Sequence, residues 1–309
     1  MTRAALVTTG DGWDRFAPPL AAALAGAAPD VRLVPADEGA DAEWVVIQDL
    51  PEGFDLAAFP RARAVLALWA GIEAILPHVP ADLPLVRLVD PAGLTAGMTE
   101  WVTGHVLRHH LGIDRYLGAA PHWDRHVPPL ARERRVGVLG LGALGADAAR
   151  ALAGFGFDVA GWSRSPKDIP GVAAHTGPDG LRAVIERSEI LVLLVPHTPQ
   201  TEGLMDAERL GWMPEGAVLL NPGRGALVDE AALTAALDSG RPSHATLDTF
   251  RTEPLPRDHP FWSDPRVTIT PHVASATRPD SAAEAVAANI ARALRGAPME
   301  GTVERGRGY

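Results

Sequence analysis

Three polar residues follow short apolar runs, and their types suit proton transfer to an anionic substrate. Arg224 stands in NPGRG, Glu253 in FRTEPLP and His272 in TPHVAS. A guanidinium can bind a carboxylate in a forked arrangement, and a protonated imidazole can donate a proton. A carboxylate beside that imidazole favours its charged form, because opposite charges attract. Each residue alone has ordinary structural uses. Their combination in successive loops predicts a catalytic set.

Three glycines predict a dinucleotide site. Gly140, Gly142 and Gly145 have the spacing G-x-G-x-x-G directly after an apolar run, and a helix-favouring stretch and a second strand complete a unit of about 30 residues. The first glycine permits a tight turn, the second lets the backbone approach a pyrophosphate, and the third lets the helix pack close to the strand. The start of the helix then presents free N–H groups and its positive dipole end to the phosphates. A glycine-rich turn without a ligand is the weaker interpretation, because both flanking strands are present.

The residues after the second strand favour NADP over NAD. Where a carboxylate would bind the ribose of NAD, about 20 residues past the glycines, this chain has Ser163, Arg164 and Ser165, and its only lysine, Lys167, follows. Arg164 can bind the oxygens of a 2′-phosphate, and the serine hydroxyls can donate hydrogen bonds to it. Asp158 lies at the beginning of the strand, too early to replace that carboxylate. NADPH is therefore the expected cofactor, with NADH as the alternative.

Parallel strands that alternate with helices must position these residues. The pattern predicts two α/β domains, and ligands of such sheets bind at the carboxyl ends of the strands. Residues 1–98 are predicted to form the first segment of a substrate domain, residues 99–279 a dinucleotide-binding domain, and residues 280–309 a helix and tail that return to the first domain. The predicted strands are residues 4–8, 31–34, 44–47, 62–68, 136–139, 157–162, 190–195, 217–220, 244–247 and 267–270, and the predicted helices are residues 14–27, 99–117, 143–152, 229–238 and 280–294.

Composition limits the classes of function. The 309 residues are 47% hydrophobic, which is sufficient for two domains with cores. The formal net charge is −10 and no basic cluster stands out, so nucleic acid is not an expected partner. The chain has no cysteine, which excludes disulfides, thiolate nucleophiles and cysteine metal sites. The N-terminal apolar run is too short for a signal peptide and no apolar stretch reaches about 20 residues. We therefore expect a cytoplasmic protein with no membrane partner.

Two histidines raise the question of a metal site. Residues 99–117 predict one long helix, with Thr99 as its N-cap. Within it, His105 and His109 are four residues apart on one face, a spacing that can bind a metal ion. Neither an HExxH glutamate nor a third ligand accompanies them, so structural or solvent-facing histidines are favoured and no metal is expected.

The chain resembles the D-isomer-specific 2-hydroxyacid dehydrogenases over essentially its full length, and most closely their glyoxylate/hydroxypyruvate reductase A group. The resemblance rests on VGVLGLGALG, WSRS, VPHTPQT, LLNPGRGALVDE, LDTFRTEPLP, ITPHVAS and GTVERGRGY. It implies two flavodoxin/Rossmann-like α/β domains with parallel sheets, an active site in the cleft between the domains, and a homodimer. It also implies NADPH-dependent reduction of small 2-keto acids such as glyoxylate and hydroxypyruvate.

The resemblance assigns a role to each chemical group. By similarity, Arg224 binds the carboxylate and carbonyl of the substrate, and Glu253 pairs with His272, the acid/base. Asp248 resembles the family residue that holds the nicotinamide carboxamide. The cofactor-binding residues expected from the motifs and the resemblance are Gly140, Gly142, Ala143, Leu144, Gly145, Ser163, Arg164, Ser165, Lys167, Pro196, His197, Thr201, Pro222, Asp248, Ala274 and Ser275.

Substrate contacts are also implied in the N-terminal domain. Gly71 and Ile72, in LWAGIEAIL, match the loop whose backbone amides gather the substrate carboxylate. Trp69 stands where the family often has glycine, and the acidic residue of this loop is Glu73. Trp69 either lines the substrate pocket or anchors the loop in the core, and both interpretations remain open. The common DVF of the family is DTF here, with Thr249 in the middle position.

Three alternatives compete with this prediction. The first is a reductase of bulkier 2-keto acids, which a pocket-lining Trp69 would affect. The second is an NAD(H)-sensing corepressor-like binding protein on the same fold, although the chain lacks extended arms or basic patches for such partners. The third, a methyltransferase with its own glycine loop, has no use for an arginine, a glutamate and a histidine together.

Overall fold

A computed structural model of the chain describes residues 2–117, 123 and 125–307, so the last two residues of the GTVERGRGY motif lie outside it. The chain divides into two compact units. The first unit contains the residues up to Leu94 and those from Ala276 onward, and the second unit runs from Thr95 to Ser275. Both divisions lie a few residues before the domain boundaries expected from the sequence. Among the described residues, no helix combines the length and apolar character that crossing a membrane requires.

The first unit contains the elements β1 (Thr2–Val7), α1 (Gly12–Ala27), β2 (Val31–Pro35), β3 (Trp44–Ile47), β4 (Ala64–Ala67), β5 (Leu85–Val86) and α7 (Pro279–Leu294). Its five strands form a parallel sheet with the order β2-β1-β3-β4-β5. The central strands β3 and β4 are short, fully buried apolar runs, which is typical of parallel sheets covered on both faces. Two alanine-rich helices, α1 and α7, pack together, and Leu20, Leu24, Ala283 and Ala287 belong to a single apolar core.

The second unit contains the elements α2 (Ala96–Leu111), β6 (Arg135–Leu139), α3 (Ala143–Gly154), β7 (Asp158–Trp162), β8 (Val172–His175), α4 (Gly177–Arg187), β9 (Ile190–Leu193), α5 (Ala207–Trp212), β10 (Val218–Asn221), α6 (Glu230–Asp238), β11 (His244–Leu247) and β12 (Val267–Ile269). Its strands form a seven-stranded parallel sheet with the order β12-β11-β10-β9-β6-β7-β8. Starting from β8, the first six strands of the sheet are the third, second, first, fourth, fifth and sixth of this unit along the chain. This is the doubly wound dinucleotide-binding topology, with β12 added at the far edge.

All the strands predicted from the sequence are present, and their ends differ from the predicted ones by at most two residues. The sequence did not predict β5, β8, α4 or α5. β5 has two residues and half of β8 is alanine, so neither carries a strand pattern. α4 begins with Gly-Pro-Asp-Gly, which is typical of a turn, yet its later apolar residues Leu181, Val184 and Ile185 pack into the core.

The predicted helix over residues 99–117 is wrong at both ends. α2 begins at Ala96, so Thr99 is not its N-cap but an interior residue with a buried hydroxyl. The helix ends at Leu111 because Gly112 adopts a left-handed conformation, with φ of 65°, and its N–H closes the last turn. A separate 3-10 turn, Ile113–Tyr116, follows.

His109 is a packed residue between α2 and the sheet. Its Nε2 lies 2.9 Å from the Thr246 hydroxyl, and its ring centroid lies 4.9 Å from that of His244. Burial, and then the neighbouring His244, lower the pKa of His109 to about 3. His105 stacks on Trp101 at 4.2 Å, and burial also lowers its pKa. The side-chain contacts of this helix therefore give both histidines a structural role.

This packing predicts acid-sensitive stability. The folded protein keeps His109 neutral, whereas in the unfolded chain it gains a proton as the pH falls below about 6.5, so this contribution to stability is complete above that pH and is lost on acidification. Between about pH 7.5 and about pH 5, His109 should lower the free energy of unfolding of the wild-type protein by on the order of 1–2 kcal/mol. In His109→Gln this part of the fall should be absent. Urea unfolding at both pH values measures the free energy of unfolding of each protein. The exposed His78 provides the control His78→Gln, and an equal pH dependence in both variants would contradict the assignment.

Candidate active site

The glycine turn after β6 has the geometry that a dinucleotide requires. Gly140 has φ of +104°, a conformation that side-chain-bearing residues rarely adopt. A Cβ on Gly145 would lie 1.7 Å from the Gly140 carbonyl oxygen, so only glycine lets α3 approach β6 this closely. A Cβ on Gly142 would meet no atom within 4 Å, so this position is open to an incoming group. α3 starts at Ala143 and Gly142 supplies no side-chain cap, which leaves the helix start suited to a phosphate.

The first residues after β7, from Ser163 to Lys167, include two basic side chains and no carboxylate. Arg164, Ser165 and Lys167 are exposed. Ser163 is buried, and its hydroxyl donates to the Ser165 carbonyl oxygen at 2.7 Å. The Ser163 hydroxyl therefore shapes this turn, and its contact with a 2′-phosphate stays a prediction. Asp158 is the first residue of β7, at the end away from this segment, and pairs with Arg187.

The loop after β9 is held by its own side chains. Thr201 donates from its hydroxyl to the Pro196 carbonyl oxygen at 2.6 Å and accepts from the Thr198 N–H at 2.8 Å. His197 pairs with Glu202, whose other carboxylate oxygen accepts from Arg251 at 2.8 Å. Thr201 thus acts on the loop's conformation, and Pro196 and His197 remain half-exposed at the strand's carboxyl end.

The loops after β10 and β11 touch. Arg224 follows β10, and Asn221 orders this loop by donating from Nδ2 to the Arg224 carbonyl oxygen at 2.9 Å. A Cβ on Gly225 would lie 1.9 Å from the Phe250 carbonyl carbon, so the chain passes directly against the segment after β11. Pro222, between these residues and the strand, is buried. This approach brings the loop of Arg224 to the loop that carries Glu253.

Glu253 and His272 form a hydrogen-bonded pair. Glu253 Oε2 lies 2.6 Å from His272 Nδ1, and Glu253 Oε1 accepts from the Phe250 N–H at 2.9 Å. The His272 side chain is 53% exposed and that of Glu253 34%. Because the carboxylate occupies Nδ1, Nε2 is the ring nitrogen available to a substrate. The pairing that the sequence led us to expect is thus present as a contact.

Asp248 lies at the end of β11 and is 1% exposed. Its carboxylate accepts hydrogen bonds from the backbone of Val273 and Ala274, which follow His272. Ala274 is buried and Ser275 half-buried, at the end of this segment. The cofactor residues expected after β12 therefore share one ordered stretch of chain with His272.

The expected substrate residues Trp69, Gly71 and Ile72 lie in the first unit, after β4. Ile72 is buried in the core, and Gly71 is half-exposed. Trp69 is half-buried and packs against the apolar clusters on both faces of the first sheet, and its carbonyl oxygen accepts from the Leu88 N–H at 2.9 Å. These contacts support the anchoring interpretation of Trp69.

Sequence reasoning missed Asn221 and Thr270, two residues that order the site. Asn221 is 1% exposed and forms an Asx turn, since Oδ1 accepts from the Gly223 N–H at 3.2 Å. An asparagine after an apolar run and before Pro-Gly is a usable signal for such a turn. Thr270 had no local signal, because its partner Asp248 is distant in sequence.

Comparison with known proteins gives concordant results. The family model described as "D-isomer specific 2-hydroxyacid dehydrogenase, NAD binding domain" matches residues 104–274, more than half of the chain. Glyoxylate/hydroxypyruvate reductase A of Salmonella heidelberg strain SL476 is 40% identical over 285 residues, covering 86% of this chain and 91% of that protein. The homologue of Yersinia enterocolitica, of the same name, is 40% identical over 277 residues, covering 87% and 88%.

Two solved structures share the fold. The D-isomer specific 2-hydroxyacid dehydrogenase of Xanthobacter autotrophicus Py2, in complex with NADPH and MES, aligns with a TM-score of 0.92 and 40% identity, covering 100% of this chain and 99% of that one. The NADPH-dependent glyoxylate/hydroxypyruvate reductase of Sinorhizobium meliloti, in complex with NADP and sulfate, aligns with a TM-score of 0.89 and 34% identity, covering 100% of both. The predicted α/β fold with two parallel sheets is confirmed. The chain belongs to the D-isomer specific 2-hydroxyacid dehydrogenase family.

Proposed function

We propose that this enzyme uses NADPH to reduce small 2-keto acids, such as glyoxylate and hydroxypyruvate, to 2-hydroxy acids. The observation that carries the proposal is the Glu253–His272 pair at 2.6 Å, beside the loop of Arg224 and on the same unit as the glycine turn. The names of the similar proteins support it, since three of the four are glyoxylate/hydroxypyruvate reductases. Turnover of glyoxylate and hydroxypyruvate with NADPH is the direct test.

The residues of the second unit suit each part of this reaction. Bound NADPH would supply the hydride that reduces the keto carbon. Arg224 binds the substrate carboxylate and orients the carbonyl, because a guanidinium donates in a fixed fork. His272 delivers a proton from Nε2 to the carbonyl oxygen, and Glu253 at Nδ1 orients the ring and stabilises its charged form. The backbone amides of Gly71 and Ile72 are proposed as further ligands of the carboxylate.

The glycine turn and the segment after β7 fit NADPH. The open position at Gly142 and the uncapped start of α3 suit the pyrophosphate. Arg164, Ser165 and Lys167 are exposed where a 2′-phosphate would lie, and the carboxylate Asp158 is engaged at the other end of β7. Two similar structures contain NADPH or NADP. The remaining cofactor residues inferred from the sequence are proposed in the same role.

Exposed apolar side chains support a homodimer. In the described residues between α2 and β6, Tyr116, Leu117, Val127 and Leu130 are exposed, and Trp123 is 94% exposed. Exposed apolar side chains grouped in one segment of the chain are typical of an interface. We propose that a second copy of the chain covers it, and that the enzyme acts in the cytoplasm, where reductases draw on NADPH.

A corepressor-like sensor would bind the cofactor without turnover, so the NADPH assay separates the two functions. A reductase of bulkier 2-keto acids would favour phenylpyruvate over glyoxylate in the same assay. The packing of Trp69 in the first unit gives no support to a pocket shaped by this side chain.

We expect Arg164→Ala to weaken the binding of NADPH far more than the binding of NADH. The loss of one charged hydrogen bond to a phosphate should cost about 1.5–3 kcal/mol. Fluorescence titration with both cofactors measures this difference. Arg150→Ala, at an exposed arginine paired with Asp147 on α3, is the matched control. Equal losses for the two cofactors in Arg164→Ala would refute the 2′-phosphate assignment.

We expect His272→Ala to lower kcat by on the order of 10²–10⁴-fold, because the proton donor is lost.

Glu253→Gln should move the pH optimum of keto-acid reduction downward, since the imidazolium loses its charged partner. Glu208→Gln, at an exposed glutamate on α5, should leave the pH profile unchanged. Steady-state kinetics across pH measures both effects, and an unchanged profile in Glu253→Gln would show that this carboxylate does not support the proton donor.

We expect light scattering to give twice the chain mass of 32.6 kDa for the wild-type protein. Trp123→Glu should shift the population to the monomer, because a charge in an apolar interface is costly to bury. Trp262→Glu, at another exposed tryptophan, is the control. A monomeric wild-type protein, or equal behaviour of the two variants, would contradict this assembly.

A further inference from the structure

His272 has an unusual backbone conformation. Its φ is +53°, and it is the only residue other than glycine with a positive φ in the part of the chain that the structure describes. The left-handed conformation is unfavourable for residues with a Cβ, although histidine tolerates it better than most. Such a conformation persists where the surroundings impose it, and it occurs where function requires a particular side-chain direction.

A single buried residue holds the chain on both sides of His272. Asp248 Oδ1 accepts from the Thr270 hydroxyl at 2.5 Å and from the Val273 N–H at 2.9 Å. Asp248 Oδ2 accepts from the Ala274 N–H at 2.9 Å, and the Asp248 carbonyl oxygen accepts from the His272 N–H at 2.8 Å. The residues before and after the histidine are therefore tied to one carboxylate on the neighbouring strand.

The register of the sheet makes this arrangement possible. β11 and β12 pair with Leu247 opposite Ile269, so Asp248 and Thr270 are the next residues of the two strands. The Thr270 N–H continues the ladder by donating to the Leu247 carbonyl oxygen at 3.0 Å. The ladder ends here, and the following residues turn back over the Asp248 carboxylate.

We propose that Asp248 and Thr270 are a positioning pair for His272, a role that rests on the proposed function of His272 as the proton donor. The pair holds the left-handed turn, and the turn directs Nδ1 to Glu253 and leaves Nε2 for the substrate. This assigns Asp248 a task within its own chain, in addition to the carboxamide contact that family resemblance implies. Thr270 is a residue for which resemblance implied no role.

Thr270→Val tests the pair, because it removes the hydroxyl and keeps the shape of the side chain. We expect kcat to fall by about 10-fold, since a misdirected proton donor slows the chemical step. KM and the dissociation constant of NADPH should change less than about twofold, because Thr270 touches neither ligand in this role. Thr270→Ser, which keeps the hydroxyl, should recover most of kcat.

Thr268→Val is the matched control. Thr268 lies on the same strand, and its hydroxyl meets His244 and Arg108 rather than Asp248. This variant should lower the melting temperature without changing kcat. An unchanged kcat in Thr270→Val, a loss that serine does not rescue, or an equal loss in Thr268→Val would each overturn the positioning role. A parallel loss of NADPH affinity would also overturn it, in favour of a cofactor role for the pair.

A second measurement keeps this inference separate from the proposed function. In histidine-labelled protein, the ¹⁵N resonance of His272 Nδ1 reports its hydrogen bond to Glu253 without any turnover. Thr270→Val should shift this resonance, and Thr270→Ser should not. If the wild-type protein fails to reduce 2-keto acids, the proposed function fails, whereas an unshifted Nδ1 resonance in Thr270→Val would refute the positioning pair alone.

Discussion

The in-register pairing of β10, β11 and β12 is the constraint on which the rest of the site depends. Asn221, Leu247 and Ile269 lie side by side across the three strands. Because the strands are parallel, the segments that follow them leave the sheet at one edge. The next residues carry Arg224, Glu253 and His272, and short connections suffice to bring Glu253 and His272 into contact at 2.6 Å. A slip of one strand by one residue would separate Asp248 from Thr270 and turn the side chains of that strand to the opposite face of the sheet.

The same edge imposes close backbone packing. Gly225 lies against the Phe250 carbonyl, and Gly145 lies against the Gly140 carbonyl, so neither position has room for a side chain. The close contact at Gly225 brings the loop of Arg224 to the loop of Glu253. The close contact at Gly145 brings the start of α3 to the end of β6. Polar side chains then complete the loops, with Asn221 holding the arginine loop and Thr201 the loop after β9. The functional groups are thus fixed mainly through backbone that glycine and short polar residues shape.

Much of this was predictable from local patterns. The apolar runs of the central strands gave correct elements, because strands buried on both faces are continuously hydrophobic. The glycine spacing predicted the turn at Gly140, since only a few residue types fit a tight turn against a helix. Helix ends were less predictable. α2 begins before Thr99 and ends at Gly112, because tertiary packing decided where the first turn starts and the left-handed glycine decided where the last one stops.

Residue types and their spacing are enough to predict which groups the site contains and which strands carry them: a dinucleotide turn, a basic segment after β7, and an arginine, a glutamate and a histidine at successive strand ends. How these groups meet follows from tertiary contacts that no local pattern reveals. The left-handed His272, the engagement of the Ser163 hydroxyl within its own turn, and the bond from Thr270 to Asp248 all depend on partners that are distant in sequence or on a backbone shape. The physical reason is that residue type and periodicity specify an element's buried face, whereas the direction of a side chain at a strand end depends on which neighbouring strand ends beside it.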